Sequence, residues 1–165
     1  MTVTFRPIRS DDEVFLSQVY ASTRLDELAV TDWNDAQKAA FLQMQFVAQH
    51  KFYQENYTDT DFLVVLQDNT PIGRLYVARW KDEIRIVDIA LLPLYRGSGA
   101  GTTILQGLLA EADAVGKPVR IHVERNNPAL RLYQRLGFVM IEDKGVYLFM
   151  ERRPTVKTES VERDR

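Results

Sequence analysis

The stretch that most constrains the fold is residues 84–115, where an apolar run is followed by a proline, a glycine-dense loop and a helical pattern. The loop at residues 96–101 places small residues beside a single cation, Arg96. Small residues allow several backbone N–H groups to point at an anion. The helix that follows adds its unpaired first-turn N–H donors and the positive end of its dipole. The stretch therefore predicts a strand, loop and helix that together hold a phosphate ester.

Length and composition place this unit in an ordinary folded domain. The chain of 165 residues predicts a single domain large enough to bury a sizeable core. Its 45% hydrophobic and 27% charged residues are typical of a folded protein. A net charge of -2, with basic and acidic residues interspersed, disfavours a nucleic-acid partner.

Residue types that are missing or rare exclude several classes of site. Without cysteine the chain can form no disulfide, no thiolate metal site and no cysteine nucleophile. Two histidines are too few for a His-rich zinc site, so we expect no metal. The N-terminus has no apolar signal core, and no apolar run approaches the roughly 20 residues of a membrane helix. We therefore expect a cytoplasmic protein without membrane contact.

The first third of the chain predicts one strand and two helices. Residues 2–8 alternate in polarity and contain a proline, which favours an edge strand. Ser10 with Glu13 has the spacing of a capping box, and Asn34 with Gln37 repeats that spacing. The side chains predicted to face the core are Val14, Phe15, Val19 and Tyr20 in the first helix and Ala40, Phe41, Met44, Val47 and Ala48 in the second.

The rest of the chain predicts a meander followed by alternating strands and helices. Residues 62–67, 72–80 and 84–91 are rich in β-formers and joined by short turns, which indicates three antiparallel strands. The helix after the glycine loop ends at Gly116, and its apolar stripe consists of Leu105, Leu108, Leu109 and Ala112.

The last elements are a crossover strand, a short helix and a hairpin. Residues 119–123 form a strand reached by a helical crossover, so it should run parallel to the strand before the loop. Asn127 and Pro128 begin a helix that Gly137 ends. Two short strands around Lys144 close the fold.

These elements define an α/β fold with a mixed sheet and helices on its faces. Their order is β-α-α-β-β-β-α-β-α-β-β. We expect one domain over residues 1–153. Residues 154–165 are polar, charged and without period, which predicts a disordered tail.

The glycine loop departs from two common phosphate-binding patterns at the same position. A mononucleotide loop would end in Gly-Lys-Ser/Thr, but Gly101 is followed by Thr102 without a lysine. The dinucleotide fingerprint would require a third glycine at position 102. The loop instead has the pattern Arg-x-x-Gly-x-Gly.

With this loop the sequence resembles the GNAT superfamily of acetyl-CoA-dependent N-acetyltransferases over roughly residues 1–151. The loop RGSGAG is similar to the family's pyrophosphate-binding loop, and the preceding IALLP is similar to the strand that pairs with pantetheine. A second family signature is matched by NNPALRLYQRLGF, with Asn126, Ala129, Leu132 and Tyr133 at the expected spacing. Two signatures in the right order are more specific than one glycine loop.

The resemblance implies acetyl-CoA as cosubstrate and a GNAT-like fold in which the fourth and fifth strands splay apart around pantetheine. Acyl transfer also requires a donor for the developing oxyanion, and a backbone N–H near Leu91 is the expected donor. The residues that the resemblance assigns to acetyl-CoA are Ile89, Ala90, Leu91, Arg96, Gly97, Ser98, Gly99, Ala100, Gly101, Thr102, Asn126 and Tyr133.

Tyr133 is the candidate general acid for the leaving thiolate. A phenol with a pKa near ~10 is protonated at neutral pH and can donate to sulfur as the C–S bond breaks. The alternative is a helix residue whose ring only packs on the sheet. The match to the Asn-Ala-Leu-Tyr signature favours the catalytic role.

Two residues are candidates for the general base. Asp88 lies in an otherwise apolar strand, where an unpaired carboxylate would be costly. Its alternative is a structural carboxylate bonded to Arg74 or Arg85. His122 has a suitable unperturbed pKa, and its alternative is a histidine satisfied within its strand.

The acceptor is expected to be a small-molecule or peptide amine bound by the first helices and their connection. Acidic and aromatic residues there would suit a cationic amine. The alternative is a solvated loop with packed aromatic residues. The residues of this region are Arg24, Asp26, Glu27, Trp33, Tyr53 and Tyr57. A catalytically silent acyl-CoA-binding sensor or scaffold is the alternative function, and it would not need Tyr133. The final hairpin could also pair across a two-fold axis to form a homodimer.

Overall fold

The computed structural model describes residues 1–155 of the chain. Of the predicted tail, residues 156–165 lie outside the described residues. Within the described range the elements follow the predicted order, with 3-10 turns at Ser10–Asp12 and Pro93–Tyr95. Their bounds are β1 Val3–Pro7, α1 Glu13–Leu28, α2 Asp35–Asn56, β2 Thr60–Gln67, β3 Thr70–Arg79, β4 Ile84–Leu91, α3 Ala100–Val115, β5 Val119–Glu124, α4 Leu130–Arg135, β6 Val139–Asp143 and β7 Tyr147–Arg152.

The strands form a seven-stranded mixed sheet in the order β1-β2-β3-β4-β5-β7-β6. β1 lies at one edge, as its proline predicted. β1 with β2 and β2 with β3 are antiparallel, and β4 with β5 is parallel. β7 pairs antiparallel with both β5 and β6. The α/β mixed sheet is therefore confirmed.

The pairing of β4 with β5 is short. It runs from Ile84 opposite Val119 to Ile86 opposite Ile121. β4 continues to Leu91 and β5 to residue 124. The part of β4 that pairs with β5 is thus its beginning, within the second unit.

The described residues group into two compact units. The first consists of Met1–Ala78 with Asp88–Gly101. The second consists of Arg79–Val87 with residues 102–155. Both contain strands and fully buried apolar side chains.

α1 buries Val19 and Tyr20 as predicted, whereas Val14 and most of the predicted face of α2 are exposed. The cluster between them consists of Leu16, Tyr20, Leu28, Leu42 and Phe46. The predicted core residues Val14, Met44 and Val47 are instead exposed. α2 carries apolar residues on two sides, and only packing against α1 decides which side is buried.

The N-terminal cap predicted for α2 is confirmed, whereas the one predicted for α1 is wrong. Asn34 and Gln37 form the expected reciprocal capping box at α2. At the first helix, Asp12 and not Ser10 is at the N-cap position, and its side chain makes no capping bond to α1. The Asp12 carboxylate accepts the Arg9 N–H at 2.7 Å and two bonds from the Arg6 guanidinium, each 2.8 Å.

In the second unit the predicted stripe and end of α3 are confirmed. Leu105, Leu108, Leu109 and Ala112 are all buried. Gly116 has φ +69°, and the Lys117 N–H donates to the Ala112 carbonyl at 2.9 Å. A left-handed glycine after the last turn is a common helix ending.

Candidate functional site

The glycine loop follows β4 directly and leads into α3. The Leu92 N–H donates to the Ile72 carbonyl at 2.8 Å, which ties the end of β4 to β3. Gly97 and Gly99 have φ of +73° and +93°. These left-handed conformations favour glycine, and they turn the chain into the first turn of α3 at Ala100. The loop thus ends at the helix N-terminus that the sequence predicted.

Arg96 supplies the positive charge of the loop. Its Nε donates to the Leu91 carbonyl at 2.9 Å, and one terminal nitrogen lies 3.4 Å from Ser22 Oγ. Ser98 donates its hydroxyl to the Tyr95 carbonyl at 2.9 Å. A cation, two left-handed glycines and a helix N-terminus form a chemically suitable anion-binding site. Thr102, the last predicted residue of the loop, lies in the second unit.

Gly73 in β3 is a residue that sequence reasoning missed. A Cβ at this position would lie 2.2 Å from the Ala90 carbonyl oxygen and 3.0 Å from Leu91 Cα. The backbone of β3 therefore approaches the segment Ile89–Leu91 more closely than any other residue would allow. A glycine inside a strand pattern is the signal that could have indicated this contact.

Asp88 is held by two donors that bind the same oxygen. Arg74 donates to Oδ2 at 2.8 Å, and the Tyr53 hydroxyl donates to Oδ2 at 3.1 Å. Of the two arginines that the sequence offered as partners, Arg74 is the one used. Arg85 instead bonds Glu83 at 2.7 Å.

Burial and the charge of Asp88 both raise the pKa of Tyr53. The Tyr53 hydroxyl therefore stays protonated and acts as a donor. The helical spacing of α2 gave no indication of this contact, which joins residues 35 positions apart. Gln49, one turn earlier in α2, accepts a bond from Arg74 at 3.1 Å.

The candidate base His122 lies in β5, in the second unit. Its ring stacks on Phe149 with centroids 4.4 Å apart, and its Nε2 lies 3.2 Å from Lys144 Nζ. Partial burial lowers the pKa of His122, and the charges of Lys144 and Arg85 lower it further. The imidazole is therefore neutral at pH 7, with Nε2 engaged by Lys144. Its role as a base stays a prediction.

The second signature places its residues around α4. Asn126 is exposed, and its side chain makes no hydrogen bond within residues 1–155. Asn127 Oδ1 accepts the Ala129 N–H at 2.8 Å before the helix begins. Tyr133 is buried, and its ring packs edge-on against Phe138 at 5.5 Å. This contact is of the kind expected if the ring of Tyr133 serves only in packing. The catalytic role of Tyr133 stays a prediction.

Residues 1–155 contain no group of three or more His, Cys, Asp or Glu side chains that could hold a metal ion. None of the helices described is both long and apolar enough to cross a membrane.

The sequence matches the profile of the Acetyltransferase (GNAT) family over residues 21–138. This match covers more than half of the chain. The chain therefore belongs to the GNAT acetyltransferase family.

A curated relative is the [ribosomal protein bS18]-alanine N-acetyltransferase of Haemophilus influenzae. It is 29% identical over 86 residues, which are 52% of this chain and 59% of the relative. The chain thus spans less than two thirds of the length of that relative.

Solved structures share the fold at low sequence identity. The PaiA N-acetyltransferase of Thermoplasma acidophilum in complex with coenzyme A has a TM-score of 0.68 and 19% identity, over 93% of this chain and 99% of that one. The ribosomal-protein-S18-alanine N-acetyltransferase of Escherichia coli has a TM-score of 0.60 and 17% identity, over 94% and 96%. At these identities the likeness shows the fold.

Proposed function

We propose that the protein is an N-acetyltransferase that moves an acetyl group from acetyl-CoA to a primary amine. The observation that carries this proposal is the loop with left-handed Gly97 and Gly99 directly before α3, in a chain of the GNAT family. The relative from Thermoplasma acidophilum, whose structure contains coenzyme A, supports the choice of cosubstrate.

In this proposal the acetyl-CoA residues keep the roles that the resemblance implies. The backbone of residues 96–102 binds the pyrophosphate, and the segment Ile89–Leu91 pairs with pantetheine. Asn126 lies beside the pantetheine arm. The Leu91 N–H is the donor for the oxyanion, because a preorganised donor stabilises charge that develops only in the transition state.

The reaction is direct attack in a ternary complex. The amine nitrogen forms a bond to the acetyl carbonyl carbon, and the C–S bond of the thioester breaks. Tyr133 gives its phenolic proton to the thiolate and later regains one from solvent. The nitrogen loses one proton to a base, so the products are an amide and free CoA. Asp88 and His122 are the two candidates for removing the proton from the acceptor amine.

The acceptor is a small-molecule or peptide amine. The Haemophilus influenzae relative is an alanine N-acetyltransferase of a ribosomal protein, which supports a peptide amine. We also propose a cytoplasmic location and self-association through the hairpin of β6 and β7.

The role of Tyr133 is tested by CoA release with a panel of amines. Tyr133→Phe removes one hydroxyl and keeps the ring on Phe138. We expect it to retain acetyl-CoA affinity and lose about 10²–10⁴-fold in kcat, the usual contribution of general acid catalysis. If wild type and variant bind acetyl-CoA equally and neither releases CoA, the protein is an acyl-CoA-binding sensor or scaffold.

The loop is tested by a charge at Ser98, because any side chain at Gly99 would strain its backbone. Ser98 is exposed, so Ser98→Glu places a carboxylate beside the proposed pyrophosphate without disturbing a core. We expect acetyl-CoA affinity to fall at least tenfold by calorimetry, with Ser98→Ala close to wild type. Unchanged affinity in a folded Ser98→Glu protein would remove the loop from the site.

A further inference from the structure

The first unit contains a buried ion pair whose geometry leaves one oxygen for a ligand. Arg74 is only 3% exposed, and the Asp88 side chain is 16% exposed. Both donors, Arg74 and Tyr53, bind Oδ2 of Asp88. Oδ1 accepts no hydrogen bond from residues 1–155. The carboxylate is thus fixed through one oxygen, and its other oxygen can accept a bond from a ligand.

The charge of this pair is already balanced. An arginine side chain stays protonated in proteins, so Arg74 neutralises Asp88. The guanidinium of Arg74 also lies over the rings of Tyr20 and Tyr76, with its carbon 5.9 and 5.1 Å from the ring centroids. The guanidinium of Arg74 therefore already interacts with the carboxylate and with the nearby ring faces.

A second cation would gain little binding free energy at Oδ1 of Asp88. An ammonium group at Oδ1 would lose its water and would meet a carboxylate whose charge Arg74 already compensates. An uncharged amine loses much less on leaving water. It can donate one N–H to Oδ1 and keep its lone pair for bond formation.

We propose that the Arg74–Asp88 pair selects acceptor amines that are uncharged near neutral pH, the α-amino group of a polypeptide in preference to the ε-amino group of lysine. This inference rests on the proposed function and narrows its substrate class. At pH 7.5 roughly a third of α-amino groups are uncharged, against about 0.1% of lysine side chains. Asp88 thus orients the amine and is set aside as a candidate for the base.

The atoms balance without a protonated Asp88. The nitrogen lone pair forms the N–C bond, the C–S bond breaks, and the nitrogen loses one proton while the sulfur gains one. The proton that leaves nitrogen passes to solvent. Tyr53 is a positioning residue in this scheme, since it contacts Asp88 and holds Oδ2 in place.

The test compares two peptides of one sequence, one with a free N-terminus and no lysine, the other N-terminally blocked with a single lysine. Initial rates of CoA release are measured between pH 6.5 and 9.5. For the wild type we expect kcat/KM at pH 7.5 to favour the α-amine by about 100-fold or more, in line with the uncharged fractions. The profile should level near pH 8 for the α-amine and still rise at pH 9.5 for lysine.

Two test variants and one control variant separate this selection from general structural damage. Tyr53→Phe should raise KM for the α-amine peptide roughly fivefold, the effect of one lost hydrogen bond, with kcat and acetyl-CoA affinity unchanged. Tyr147→Phe, an exposed tyrosine in β7, is the matched control and should match the wild type. Arg74→Met, if folded, should lower the preference for the α-amine at least tenfold, because Asp88 is then free to bind an ammonium.

The outcomes distinguish the inference from the function on which it rests. Equal or faster acetylation of the lysine peptide at pH 7.5 would overturn the inference and leave the N-acetyltransferase function intact. A Tyr53→Phe protein with unchanged KM would overturn the positioning role. Absence of CoA release with both peptides and with a panel of low-pKa and high-pKa amines would overturn the inference and the proposed function together.

Discussion

Gly73 determines how closely β3 can approach the segment proposed to bind pantetheine. Gly73→Ala would place a methyl group 2.2 Å from the Ala90 carbonyl, so this segment must move. We expect a loss of about 1–3 kcal/mol in the free energy of unfolding, typical of overpacking. We also expect roughly tenfold weaker acetyl-CoA binding by calorimetry, equivalent to about 1.4 kcal/mol.

Gly107 in α3 provides the matched control for this substitution. A Cβ at Gly107 would meet no atom within 4 Å. Gly107→Ala should leave acetyl-CoA affinity unchanged and should stabilise the helix by about 0.5–1 kcal/mol. Equal affinities of the Gly73→Ala and Gly107→Ala proteins would contradict the role of Gly73.

Asp12 is a second residue whose contribution to the stability of the fold can be tested. Its hydrogen bonds from Arg6 lower its pKa, the net result after burial, which acts in the opposite direction. A lowered folded-state pKa stabilises the fold above the unfolded-state pKa of about 3.9, and this stabilisation is lost as the pH falls through the folded-state pKa.

Urea unfolding of Asp12→Asn at pH 7 and at pH 3 measures this contribution. We expect the variant to lose about 2 kcal/mol at pH 7, the size of a hydrogen bond to a charged group. The difference from the wild type should shrink at pH 3, and Asp11→Asn, the exposed neighbour, should change stability by less than about 0.5 kcal/mol. A difference that is equal at both pH values would argue against the ion pair.

At the scale of the element, α2 buries a side that its pattern did not predict. Phe46 is 2% exposed and Met44 is 61% exposed, although both are apolar and two positions apart. We expect Phe46→Ala to cost about 3–5 kcal/mol in urea unfolding. Met44→Ala, on the exposed side, should change stability by about 0.5 kcal/mol or less. Similar losses in the two variants would mean that Met44 is covered in solution.

The elements themselves followed from local signals. Each strand and helix was predicted near its observed place, because period-2 and period-3.6 patterns and glycine endings act over a few residues. The start of α4 is an exception, since the helix begins at Leu130 and not at Pro128. The hydrogen bonds of Asp12 were missed because two of them come from Arg6 in the preceding strand. The orientation of α2 was missed because the sequence of one helix does not contain its partner.

At the scale of the whole molecule, β6 is the edge strand on the side of the sheet opposite β1. Its apolar residues Val139, Met140 and Ile141 are all exposed. An edge strand with unpaired backbone groups can pair with a second copy. We expect the wild type to sediment as a homodimer.

A charge in β6 tests this prediction without disturbing a core. Ile141→Lys should shift sedimentation to a monomer, and Val30→Lys, at an exposed position outside the sheet, should leave the dimer intact. A wild type that sediments as a monomer at every concentration would refute the two-fold pairing.

The sequence by itself determined the element order, the mixed sheet, the glycine loop before α3 and the family to which the chain belongs. These depend on residues close in the chain, where spacing alone carries the information. Only the tertiary structure decided that β7 lies between β5 and β6, that Gly73 faces Ala90, and that Asp88 is paired with Arg74 and Tyr53.

The same distinction applies to the stretch of residues 84–115. Its loop could be predicted from glycines and one arginine, because backbone conformation is a local property. The hydrogen-bond partners of Asp88 could not be predicted in this way, because they lie 14 and 35 residues away in the sequence. The charge balance of a buried carboxylate depends on which side chains the fold brings to it, and that choice is made by packing.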